Sequence, residues 1–127
     1  MSRLKKKKSN RGKIIKKYAE FIEYDWNTRD NSVFADVPNS KSHPKGRGIY
    51  VLYDNHGLYY VGLTNYSLRG RIRKHTIDRH KKKWVKFSWY NIPNLKYTKD
   101  IETALLRITY PKGNRVKGKI GKKQVRF

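Results

Sequence analysis

Residues Gly48–Leu63 read GIYVLYDNHGLYYVGL, two runs of β-branched and aromatic residues broken by Asn55-His56-Gly57. Such runs bounded by turn formers are strands, and Gly57 can take the positive φ of a three-residue hairpin loop. The reading is a β-hairpin, Gly48–Asp54 followed by Leu58–Leu63. Period-2 alternation puts Tyr50 and Leu52 on one face and Ile49, Val51 and Tyr53 on the other. In the partner strand it separates Tyr60 from Tyr59 and Val61, so Tyr50 and Tyr60 can share a face.

Working outward from the hairpin, Thr64-Asn65-Tyr66-Ser67 offers hydroxyl and amide caps for the basic run LRGRIRKHTIDRHKKK, whose spacing suits a helix despite Gly70. WVKFSWYNIP (Trp84–Pro93) reads as a third strand ended by its proline. DIETALLRITYP (Asp100–Pro111) reads as a helix capped by Asp100 and stopped before Pro111. The order is β-β-α-β-α, an α+β fold with a small antiparallel sheet flanked by helices. Upstream, Ile15, Tyr18, Ile22 and Trp26 fall at steps of three, four and four, so Lys13–Trp26 reads as an additional N-terminal helix. Residues 27–47, rich in Asn, Asp and Pro, read as a linker. Residues 1–12, with four consecutive lysines, read as a flexible basic arm. The division expected is an arm (1–12), an N-terminal helix and linker (13–46) and a domain with a basic tail (47–127).

Composition narrows the partners. With 32 Lys+Arg against 9 Asp+Glu the chain carries +23, a self-repulsion that a polyanion relieves, so nucleic acid is the expected partner. With 36% hydrophobic residues and ten tyrosines it has enough core-forming material to fold. The length, 127 residues, suits one domain. No apolar run reaches the roughly 18–20 residues of a membrane span, and no hydrophobic stretch follows the N-terminal charges. The expectation is an intracellular protein, cytoplasmic or nucleoid-associated, and not a membrane protein. The absence of cysteine leaves carboxylate, imidazole and water as metal ligands, which points to a hard cation such as magnesium.

Several spaced motifs bear on activity. Gly48-Ile49-Tyr50 and Tyr60-Val61-Gly62 stand on neighbouring strands, followed by Leu68-x-x-Arg71-Ile72-x-x-His75, by FSWYNI, and by Glu102 with Asn114 twelve residues later. Across about residues 47–115 the chain resembles the GIY-YIG nuclease family, with Val in place of the second Ile. The resemblance implies a metal-dependent endonuclease hydrolysing DNA phosphodiesters by in-line attack of water, with one divalent cation, Mg2+ or Mn2+, on Glu102. Arg71 would meet the developing phosphoryl charge. Tyr50 would accept the proton of water, its pKa lowered by surrounding Arg, Lys and metal. His75, four residues after Arg71, would bond Tyr50 or take its proton onward. Tyr60 completes the catalytic set. Gly62, Arg69, Arg73, Lys74, Lys82, Lys83 and Asn114 are the expected substrate contacts, with Trp84 and Trp89 as aromatic platforms beside the basic track.

Each residue alone has a plainer reading. Strand tyrosines usually pack. Glu102 near a helix start complements the helix dipole. His75 and His80 alone are ordinary surface imidazoles, and Asn114 beside Gly113 is a turn residue. The rival functions are a non-catalytic nucleic-acid-binding or ribosome-associated protein on the same scaffold, and an RNA nuclease. A double-strand cut on double-stranded or branched DNA needs two successive nicks or two protomers, which makes a homodimer one option.

Overall fold

The computed structural model of the chain describes residues 14–39 and 46–114. The basic arm and the tail fall outside them. Four strands form one antiparallel sheet: β1 (Lys17–Glu23), β2 (Gly48–Asp54), β3 (Gly57–Thr64) and β4 (Lys86–Asn91), in the order β1-β4-β2-β3. Two helices, α1 (Leu68–Lys74) and α2 (Leu95–Thr109), complete an α+β fold.

β2 is central and buried on both faces, as its near-continuous apolar run requires. Tyr50 and Leu52 join a core with Phe87 and Trp89 of β4 and Leu68 and Ile72 of α1. On the other face Ile49, Val51, Val61 and Ile92 pack against Ile101, Leu105 and Leu106 of α2. The sheet therefore lies between two layers. Among the described residues no helix is long and apolar enough to cross a membrane.

The expected N-terminal helix is a strand. β1 pairs with β4, Tyr18 opposite Tyr90 and Ile22 opposite Phe87, with an irregularity between Ala19 and Ile22 where Phe21 takes φ 56°. Without β1 the outer edge of β4 would be unpaired, and the aromatic and β-branched residues of KYAEFIE suit a ladder. Tertiary pairing outweighs the helical spacing, and of the four residues in that stripe Ile15 and Tyr18 are exposed. Nor is the segment that follows a mere linker. A 3-10 turn, Asn31–Phe34, is capped by the Asp30 carboxylate and carries Phe34 into the core, with fully buried Val37 close behind.

The hairpin forms with a shorter connection, Asn55-His56, and a bulge. Leu52 faces Tyr60 but Tyr53 faces Leu58, which leaves Tyr59 as the extra residue. The bulge cancels the alternation expected between Tyr59 and Tyr60, and both side chains pack on the α1 side of the sheet. α1 is shorter than the basic run. It starts at Ser67, whose hydroxyl accepts from the Gly70 N–H, and ends at Lys74. Beyond it the Asp78 carboxylate accepts from the His80 N–H and Lys82 takes φ 64°, so local side-chain bonding turns the chain back instead of extending the helix. α2 starts earlier than expected, because Asn94 directly after Pro93 caps it in place of Asp100. Its left-handed cap, Tyr110, precedes Pro111.

Candidate active site

The site is built on the register between β2 and β3. Tyr50 lies opposite Gly62, and a Cβ on Gly62 would collide with the Tyr50 ring. Glycine is required there by the close approach of that ring. Thus seated, the Tyr50 hydroxyl lies 2.7 Å from Nε2 of His75, at the C-terminal cap of α1. Nδ1 of His75 lies 2.7 Å from Oδ2 of Asp78, and the indole N–H of Trp84 donates to the His75 carbonyl at 3.1 Å. His75 is thereby held at its backbone and at both ring nitrogens.

A second imidazole adjoins the first. His80 is only 2% exposed, its Nδ1 is 2.9 Å from the Tyr59 hydroxyl, and its ring centre is 4.9 Å from that of His75. Tyr60 covers both rings, at 5.0 Å from His75 and 4.6 Å from His80, and lies 5.9 Å from the Tyr50 ring. The bulge at Tyr59 is what puts two tyrosines against two histidines. His75, Asp78 and His80 each offer a donor atom within 4.8 Å of the others, a group that could hold a metal ion.

Burial sets the protonation states. It drives the Tyr50 phenol well above its ordinary value, Tyr60 adds to this, and the Arg71 charge only partly opposes it. The expected depressed tyrosine is therefore not found, since desolvation of the phenolate outweighs the nearby cation. Burial likewise lowers His75, against the pull of Asp78, and lowers His80 to about 4, with His75 and Arg79 next in weight. Both rings are neutral at pH 7, so the His75–Asp78 contact is a hydrogen bond to a carboxylate and not an ion pair. Burial also opposes ionisation of Asp78, but the His80 N–H and His75 outweigh it and hold the carboxyl below its usual value. A carboxylate at Nδ1 fixes the ring proton there and leaves Nε2 as acceptor for the Tyr50 hydroxyl.

Arg71 is exposed on α1, and its charge acts on both Tyr50 and Glu102 of α2. Burial raises the Glu102 carboxyl, and Arg71 lowers it. Because α2 begins at Leu95, Glu102 sits about two turns in, too far from the end for a dipole-complementing role.

The other expected contacts divide. Arg73, Lys74, Lys82 and Lys83 are exposed. Arg69 instead donates from Nε to the Val37 carbonyl at 2.9 Å and from a terminal nitrogen to Ala35 at 2.8 Å, tying the 3-10 segment to α1. Asn114 brackets β3: its carbonyl oxygen accepts from the Val61 N–H at 2.9 Å and its amide donates to the Val61 carbonyl at 2.7 Å. Trp84 and Trp89 are not platforms, because both are buried under the sheet. Asp78 and His80 escape a sequence reading that looks for helical spacing. The signal that reaches them is His75-x-x-Asp78-x-His80 across a turn. No family model matches the chain, and no curated protein matches it.

Proposed function

We propose that the chain is a metal-dependent endonuclease of the GIY-YIG kind that hydrolyses DNA phosphodiester bonds by in-line attack of water. The observation that carries the reading is the 2.7 Å contact of the Tyr50 hydroxyl with His75 Nε2, beside an arginine whose charge acts on both Tyr50 and Glu102. The order of β2, β3, α1, β4 and α2 supports the same reading, since it is the β-β-α-β-α order of that family.

The roles follow from the protonation states. Tyr50 rests as a neutral phenol, so it can take a proton from water only as it passes its own to His75 Nε2. Asp78 then faces the imidazolium that forms. The Arg71 guanidinium donates to phosphate oxygens as charge builds on them. Glu102 is a single hard oxygen donor, which fits a magnesium-class ion that completes its shell with water and phosphate oxygens. Such an ion, when bound, supplies charge stabilisation to the departing oxygen.

Cation-dependent nicking of plasmid DNA by the full chain is the test. Conversion of supercoiled plasmid with Mg2+ or Mn2+, lost in Glu102→Ala while DNA binding persists, is the expected result. Binding without cleavage under every cation would leave a nucleic-acid-binding protein on this scaffold. Cutting confined to RNA would change the substrate.

A further inference from the structure

The group formed by His75, Asp78 and His80 differs in kind from Glu102. Two imidazoles and one carboxylate are the donor set of a borderline transition metal, whereas magnesium favours oxygen and water. Both rings are buried, and among the described residues the Tyr59 hydroxyl meets His80 at Nδ1, on the other side of the ring from Nε2. Asp78 is half-buried and stands in the turn after α1, where an ion can enter from solvent. The donors lie within 4.8 Å of one another, and bonds of about 2.0–2.1 Å in a tetrahedron bring such donors to roughly 3.3 Å. The His75 Nδ1–Asp78 Oδ2 pair, at 2.7 Å, opens to that spacing while the more distant donors of the group close to it.

We propose that His75, Asp78 and His80 form an inhibitory zinc site, in which an ion between His75 Nδ1 and the Asp78 carboxylate takes His75 out of its partnership with Tyr50. That ion replaces the proton that the Asp78 carboxylate holds on Nδ1. Displaced from Nδ1, the ring proton moves to Nε2, and the ring stays neutral with no proton lost. Nε2 then donates to the Tyr50 oxygen and can no longer accept from it, so the path of the Tyr50 proton to His75 is closed. Zinc and turnover are mutually exclusive through one nitrogen atom. The inhibition rests on the endonuclease reading, while the binding stands without it.

Equilibrium dialysis of the full chain against Zn2+, with Co2+ as the spectroscopic probe, is the experiment. One ion per chain is expected, with an intense tetrahedral Co2+ spectrum, and with affinity reduced at least about tenfold in His80→Gln and in Asp78→Asn. Wild-type imidazole NMR lines of His75 and His80 should move together on zinc addition, a readout that holds even where a variant fails to fold. No stoichiometric ion, or unchanged lines for both histidines, overturns the site. In Mg2+-dependent cleavage, saturating zinc should slow the wild type at least about tenfold, and the ratio of rates with and without zinc should approach one in His80→Gln. Zinc bound at the two histidines without loss of cleavage overturns the inhibition. Absence of cleavage in every condition would sink the endonuclease reading and leave the dialysis result to decide the metal site.

Discussion

The Tyr50 hydroxyl meets His75 Nε2 at 2.7 Å, a contact that a ring alone cannot make. Tyr50→Phe keeps the packing and removes the proton path, so we expect a rate loss on the order of 10²–10⁴ with the fold intact, measured by single-turnover cleavage alongside a thermal melt. A fully active variant would move the base elsewhere. Arg71→Ala should lose cleavage but keep DNA affinity, because many other cations carry the binding and this one acts as phosphoryl charge develops. Parallel filter-binding and nicking assays separate the two effects. Gly62→Ala places a methyl into the Tyr50 ring, and overpacking of this kind costs about 1–3 kcal/mol, to be read from urea unfolding. His80 gives a pH signature. Its pKa falls from 6.5 unfolded to about 4 folded, so the unfolded chain binds more protons between those values. Stability is therefore full above pH 6.5 and falls as pH drops toward 4. His80→Asn keeps an acceptor for Tyr59 and removes the titration, so its melting temperature, taken with a chelator present, should depend less on pH across that window. An unchanged slope would assign the effect to another group.

At the scale of elements, what can be read from sequence is what local chemistry decides. β2 and β4 announce themselves as apolar runs closed by turn residues, and Tyr50 stands on the first of them, while Arg71, His75 and Glu102 lie on or at the end of helices read from caps and spacing. β1 does not, since seven residues with apolar positions three and four apart fit a helix until the free edge of β4 is known. The start of α2 reads as Asp100 because an acidic cap before an apolar run is a strong signal, yet Pro93-Asn94 supplies a cap sooner. Asp78 and His80 are illegible for a different reason: a turn closed by a carboxylate has no period to detect. The bracket formed by Asn114 is open to a direct test. Asn114→Ala removes both partners of the Val61 peptide groups, at a cost of about 1–3 kcal/mol, and amide exchange at Val61 should quicken accordingly. Unaltered exchange would show that the bracket holds nothing.

For the whole molecule, charge dominates. The chain carries +23, and each phosphate that a cation neutralises releases counterions, so affinity for DNA should fall steeply with salt. Residues 1–12 hold six of these cations, Arg3, Lys5, Lys6, Lys7, Lys8 and Arg11. Their removal should flatten the salt dependence by roughly 0.9 for every phosphate left without its cation, uniformly across sequences, while cleavage per bound complex stays the same. A truncated chain with the full slope would place the binding entirely on residues 13–127.

The position of Asn114 also limits how copies of this chain can assemble. A sheet with two open borders adds strands at either end and polymerises without limit. Here the Tyr59 carbonyl accepts from the Gly113 N–H and both peptide groups of Val61 are held by Asn114, so growth through this stretch of β3 is barred. Among the described residues β1 is the other border of the sheet, and two copies that meet there related by a two-fold axis exhaust it. Strand-to-strand association therefore stops at a pair, and fibres of this protein would first have to peel the chain after α2 away from the sheet.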